Sequence, residues 1–564
     1  MAIVITPGSA GGWEQDTERR RATERIVRFV RFVGSWVRRF VGVRRFGLAE
    51  PNPTNPTNFT NLTNLTNLSL VLLLSLSCSQ PPSDPGVITV AIPVSPNSLD
   101  PRYGTDENSA RAHELLFNDL LRWDEHTRLA PGLAESWDTT DYKTYRIKLR
   151  HGVPFHDGHE MTSADVVYTF NSMLDPAMAS PWRGAFRDLR SVVAVDRYTV
   201  DFILNQPSGS FLPNLVFKIV PAGASRDLRN HPVGTGPYEY VSYAVDDRLQ
   251  VRAFRDYFEG LPRNTGVVMK IVPDDIMRGL ELRKHTADLI VNDLVPDMVY
   301  QLEKEGLSLT KAPGVDYQYI GFNFRDPVLK DVRVRHAIGH AIDRQAIVDY
   351  LRRGLATVAD TMLPPTNWAY QPDVVVLDYD PERAKALLDE AGYPDPDGDG
   401  PRPRLSLTFK TSSLEFYRLQ ASVIQQNLRQ VGIDIDVRSY EFATLYDDIL
   451  KGNFQVYSLQ WVGGALADPD ILRRVFHSQQ VPPGGFNRGY FNDPEVDRLI
   501  DEASQATDYE SRKRLYGEVQ KLIAEAAPYI SLWHRTNFAL SDSNVHGIRL
   551  TPQGDFTFLR NVSR

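Results

Sequence analysis

A single cysteine, Cys78, stands among 564 residues, so no disulfide can close within this chain. Its fold has to rest on buried apolar cores and hydrogen-bonded secondary structure alone. The stretch after Cys78 is long enough to bury several such cores, and length alone suggests about two to four domains. Without a further thiol, that stretch has no cysteine chemistry to offer.

Cys78 closes the apolar run VLLLSLSC (71–78) and is followed by the polar, turn-rich SQPPSDPG. An apolar stretch of about ten residues is too short for a bilayer, which needs roughly 20. It matches the hydrophobic region of a secretory signal, and small Ser77 suits a peptidase that cuts just before the cysteine. This is the pattern of a bacterial lipoprotein signal: the thiol is expected to take a diacylglyceryl group and Cys78 to become a lipidated N-terminus. Ser75 stands where such signals usually carry Leu or Val, with Leu74 and Leu76 on either side. Upstream, residues 19–45 mix Arg with Val and Phe, a basic amphipathic pattern, and residues 51–68 repeat an Asn/Thr triplet that cannot build a core. Residues 1–77 are read as a leader whose true start lies downstream of Met1.

Residues 1–78 hold 10 of the 63 Lys and Arg and 5 of the 71 Asp and Glu, leaving the remainder with a net charge of −13. That balance excludes nucleic acid as a partner, because its phosphates call for a basic face. No later apolar run approaches membrane-spanning length.

Strands and helices alternate along the rest of the chain. VITVAIPV (87–94) and TYRIKLR (144–150) read as strands, with further strand-like segments at 190–205 and 238–254. Helices are expected over 108–121, over 163–174 with Ser163 or Thr162 as N-cap, and over 331–348 behind Asp331. Asp380 caps a helix that opens with Pro381 and stops at Gly392. A helix over 414–431 ends at Gly432 before the strand 433–437, and two more fit 494–505 and 508–526. This alternation means an α/β architecture.

Four blocks then resemble one family. They are NDLLRWDEHTRLAPGLAESWD (118–138), YRIKLRHGVPFHDGHEMTSADVVYTF (145–170), HPVGTGPYEY (231–240) and IGFNFRDPVLKDVRVRHAIGHAIDRQAIV (320–348). In this order they are similar to the extracytoplasmic solute-binding proteins of peptide, nickel and opine ABC importers, over about residues 90–550. Read from the residues alone, HGVPFHDG sets glycines beside a polar turn where positive φ costs little, and His156 with Asp157 suggests a structural hydrogen-bonded pair. In PVGTGPY the glycines punctuate a sharp connection. No Gly-Lys-Ser/Thr follows them, so a phosphate cradle is not supported.

The resemblance implies a two-lobed periplasmic-binding-protein-like clamp of the large type II, three-domain kind, with mixed sheets flanked by helices. One lobe would combine residues 86–116, 229–318 and 528–564 with an inserted domain, 117–228. The other lobe would be 319–527, joined by two hinge strands. A small solute, an oligopeptide or peptide-like compound, would bind between the lobes and be passed to an ABC permease of the inner membrane. The protein is then expected to be a monomer in the periplasm or on the outer cell-membrane surface, lipid-anchored, with no cofactor, no metal and no catalytic residue.

In peptide-binding members a Trp in the second lobe is followed three residues later by an Asp that pairs with the peptide's ammonium. Here Trp461 is present but Gly464 stands three beyond it, with Asp468 and Asp470 further along. A buried ammonium without a partner is strongly disfavoured. Either Asp468 is brought in, or the ligand lacks a free amine there. Gly463 and Gly464 would let backbone approach a ligand. Tyr103, Trp182, Tyr317 and Tyr319 complete the candidate aromatic wall, as broad specificity requires.

The run DPDGDG (395–400) starts like a calcium loop, but Ser406 stands where the closing Glu belongs, so a turn is expected. HELLF (113–117) lacks the second His of a zinc-protease helix, and no G-x-S-x-G occurs, which weighs against a secreted hydrolase. A ligand sensor or chaperone built on the same clamp is the remaining alternative. Cys78→Ser should move the protein from membranes to the soluble fraction on fractionation, and retention on membranes would refute the anchor.

Overall fold

The computed structural model describes residues 86–223, 227–398 and 400–564. The chain divides at Pro82/Ser83, and the fold is that of the Ser83–Arg564 unit. The leader and Cys78 lie outside the described residues.

An 11-stranded mixed sheet runs through this unit. Its order is Ile433–Tyr440, Leu405–Ser412, Val456–Trp461, Ser308–Phe322, Tyr529–Ser541, Leu289–Val291, Val87–Ile92, Gly266–Ile271, Arg248–Ala253 and Tyr238–Ala244, with Ala356–Val358 also paired to Tyr529–Ser541. The two longest strands, Ser308–Phe322 and Tyr529–Ser541, lie antiparallel at its centre and join its halves. They pair in register from Ser308↔Ser541 to Pro313↔Thr536, and resume at Tyr317↔His534. Gly314, Val315 and Asp316 therefore bulge opposite Arg535, and such a bulge frees residues from the ladder and re-aims their side chains. On one side of the bulge the neighbour is Leu289–Val291; on the other it is Val456–Trp461.

Each half has its own apolar cores. Ile88, Val90, Leu115, Leu116, Tyr238 and Met269 pack together in one half. Val334, Ile338, Phe409, Ile424 and Trp533 pack in the other, beside a second cluster around Tyr319, Tyr457 and Tyr516. A separate four-stranded sheet, Ala134–Asp138, Thr144–Leu149, Thr199–Leu204 and Leu189–Asp196, covers its own core. There Phe170, on the helix Ser163–Leu174, meets Phe186 and Phe202 edge-on with centroids 5.2 and 4.9 Å apart.

Capping chemistry sets most helix boundaries where the sequence places them. Thr162 caps Ser163–Leu174 through a reciprocal box with Asp165, and Asp380 caps Pro381–Glu390. Glu415–Gln430, Pro494–Gln505 and Tyr509–Ala526 also stand as expected. Two helices are shorter. Glu107–Leu116 stops at Phe117, because Leu121–Trp123 pairs as a strand with Leu129–Pro131. The helix behind Asp331 runs only over Val332–Ala341; Ile342 is extended, and Asp343 recaps a short second segment by accepting from Ala346 N at 2.9 Å. Among the described residues no helix is long and apolar enough to cross a membrane.

The expected His156–Asp157 pair does not form. Asp157 bonds His159 instead, at 2.5 Å, while His156 Nε2 lies 3.0 Å from Gly236 O and its Nδ1 accepts from Gly234 N. The two glycine-containing turns are thus stitched to one another. A Cβ on Gly236 would come within 2.4 Å of the Leu116 backbone, so close chain packing, not phosphate binding, explains that glycine. Gly236→Ala should lower stability by about 1–3 kcal/mol in urea unfolding; an unchanged midpoint would refute this packing role.

Candidate functional site

A cavity of about 890 Å³ opens where the two halves of the sheet meet, within the range that holds a drug-sized or larger ligand. One wall comes from the helix Glu107–Leu116, the loop that follows it, Trp182, Phe217, Lys218, Tyr257 and the C-terminal segment around Asp555. The facing wall comes from Asp316 in the bulge, Val462 and Gly463 at the end of a strand, and Asp468, Ile471 and Arg474. A second pocket beside Tyr317, Arg344 and Asp360 is only about 30 Å³ and has room for a water molecule, not a solute.

The strand Val456–Trp461 delivers Val462 and Gly463 to the cavity, with Trp461 in register against Tyr317. Gly463 takes a φ of +73°, which favours glycine. Its N–H donates to Asp316 Oδ1 at 2.9 Å, and Gln460 Nε2 donates to Oδ2 at 3.1 Å. Arg535 lies 3.7 Å from the same carboxylate. Burial pushes the Asp316 carboxyl up, against the pull of Arg535 and the Gly463 N–H. Gly464 lies in the 3₁₀ turn Gly463–Leu466, which Asn367 fixes by donating to Leu466 O and Ala467 O at 3.1 and 3.0 Å.

Asp468 reaches the cavity but is engaged within its own wall. It accepts from Asp470 N at 2.8 Å and lies 3.5 Å from Arg512; burial raises its carboxyl while Arg512 opposes that. Trp461 is half-buried just behind the wall, with the Arg488 guanidinium 4.7 Å above its ring and Phe486 edge-on at 5.4 Å. Trp182 does line the cavity, packed on Phe217 at 5.8 Å. Tyr103 is half-buried away from it, under Arg229 at 4.0 Å.

Tyr317 and Tyr319 belong to the core and not to the cleft wall, with 1 % and 0 % exposure. Past the bulge both faces of the sheet are covered: Tyr319 stacks on Tyr529 at 3.9 Å, and Tyr317 Oη shares a 2.7 Å hydrogen bond with Ser531 Oγ. Like Glu114 on the opposite wall, Asp316, one residue earlier, is a cleft carboxylate that sequence reasoning missed. The only local signal for it is an acid directly after Pro-Gly-Val at the start of the strand's second half.

The basic groups on the walls are mostly committed. Arg111 pairs with Glu107 and Asp293, Lys218 with Asp119 at 2.5 Å, and Arg122 and Arg560 both with Glu259. Arg474 and Arg549 are exposed and have no ion-pair partner among the described residues.

One sheet shared by two halves around a ligand-sized cavity defines a clamp that binds a solute. The sequence pattern of the bacterial extracellular solute-binding proteins, family 5, matches residues 128–482, and the chain belongs to that family. Heme-binding protein A of Haemophilus influenzae is 31% identical over 80% of this chain and 87% of its own length. The oligopeptide-binding protein AppA of Bacillus subtilis, solved with a nonapeptide, superposes with a TM-score of 0.70 at 26% identity, covering 85% of this chain and 98% of that one. NikZ of Campylobacter jejuni, solved with Ni(L-His), gives 0.72 at 25% identity, covering 85% and 100%. The chain is accordingly an extracytoplasmic solute-binding protein of ABC transport, with the two-lobed α/β clamp fold, and not an enzyme.

Asp316→Ala removes the acceptor that holds Gly463 and Gln460. Hydrogen bonds to a charged acceptor contribute ~1.5–3 kcal/mol, so the variant should lose about that much stability in urea unfolding. An unchanged midpoint would mean that Asp316 does not fix the glycine turn at the cavity wall.

Proposed function

We propose that the solute is a peptide or peptide-like compound, held across the cavity and enclosed when the halves approach one another. The observation that carries this reading is the cavity itself. It is ligand-sized, its opposite walls come from the two halves of one sheet, and free arginines and carboxylates both face it. A zwitterion of several residues fits such a wall, with Arg474 or Arg549 available to its carboxylate and Asp316 beside the glycine turn. The naming of relatives as oligopeptide-, dipeptide- and glutathione-binding proteins supports the same class.

In this reading the lobes are 86–116 with 229–318 and 528–564, the inserted 117–228, and 319–527, and the paired strands around Asp316 are the hinge. A ligand touching both lobes only in the closed state shifts the population towards it. The permease then receives the closed form. The protein works as a monomer tethered by lipid at Cys78.

Native mass spectrometry of the gently purified protein should reveal co-purified short peptides, and adding them to stripped protein should reduce its radius of gyration in X-ray scattering. A bound sugar or other compound without an amino-acid unit would overturn the peptide reading. Binding without compaction would overturn the clamp motion.

A further inference from the structure

Glu114 is a carboxylate of the cavity wall that has no cation of its own. It sits on the last turn of the helix Glu107–Leu116, half-buried and lining the cavity. Its one hydrogen bond among the described residues is accepted from Phe556 N, by Oε2 at 2.6 Å. No basic side chain among the described residues lies within ion-pair distance of it. The charged groups around it are Lys218 and Asp119, which are paired with each other, and Asp555 on the C-terminal segment. On its own helix Arg111 is already shared between Glu107 and Asp293.

A charged carboxylate in that position without a cation is costly. Burial and then Asp555 push Glu114 up to about 8, Lys218 and the Phe556 N–H acting in the other direction. Burial and Asp555 thus favour the protonated acid at neutral pH, beside the space a ligand would take. We infer that Glu114 is the first wall's receptor for an ammonium group of the solute, giving up its proton when that group arrives. Resting on the peptide reading, this assigns the solute's ammonium group to the first wall. A carboxyl proton is lost to solvent, and a carboxylate–ammonium pair forms in its place. Asp316 and Asp468, on the facing wall, already lie beside Arg535 and Arg512.

The probes are trialanine, trilysine and Nα-acetyl-trialanine, titrated calorimetrically into the wild-type protein and into Glu114→Gln. Glutamine keeps an oxygen for the Phe556 N–H, so a merely structural role predicts no change in binding. The inference predicts that the ammonium-bearing probes bind Glu114→Gln about tenfold more weakly, while the acetylated probe is unaffected or absent in both. At pH 7, parallel titrations in phosphate and Tris should show close to one more proton released per trialanine by the wild type than by the variant. Wild-type affinity for trialanine and trilysine should rise between pH 6 and 8 as Glu114 ionises, and Glu114→Asp should restore part of the lost affinity. Equal loss for all probes, or none, with no difference in proton release, would overturn this inference alone. Failure of every probe to bind the wild type would overturn it together with the peptide reading.

Discussion

The architecture depends on how two long strands pair. Ser308–Phe322 and Tyr529–Ser541 pair along most of their length but slip between Pro313 and Tyr317 and again after Gln318. A one-residue shift in an unbroken ladder would turn every side chain to the opposite face. The bulge takes up the change at Gly314–Asp316, with a second, one-residue slip following between Gln318 and Tyr319. It also sets Asp316 outside the ladder, at the point where the strands exchange neighbours, and there it faces the cavity.

Electrostatics in the cleft follow from the cost of burying charge. Arg111, Lys218, Arg560, Asp316 and Asp468 lie in partly or fully buried positions, each with an opposite charge at hand. Such pairs contribute little net stability when desolvation is counted, yet removing one partner is strongly destabilising. They fix the shape and charge of the walls more than they strengthen the fold. Against that background the groups left without an opposite charge, Glu114 on one wall and Arg474 and Arg549 beside the cavity, are the ones a solute can still engage.

Much of the secondary structure is legible in local sequence. Asp380-Pro381, Asp493-Pro494 and the Thr162/Asp165 box mark helix starts because a short acceptor side chain satisfies free N–H groups there. The same logic, followed further, reads the break at Ile342, since Asp343 offers a second cap. Where the reading fails, the cause is a distant partner. Leu121 leaves the helical pattern to pair with Pro131. His156 turns from Asp157 to the Gly234–Gly236 turn, 80 residues away. The aromatic candidates divide in the same way: Trp182 reaches the cavity, whereas Tyr317 and Tyr319 are taken up by stacking within the core.

By itself the sequence determined the α/β class, the absence of any intrachain disulfide, the acidic balance and the family blocks. These are properties of composition, periodicity and ordered motifs, which need no knowledge of the far end of the chain. Only the tertiary structure decided which carboxylates meet the cleft. Asp316 is 147 residues from the Gly463 N–H that it accepts, and Glu114 is 442 residues from Phe556. Local spacing carries no information about such encounters, because they are fixed by strand register and by how separately packed cores come together.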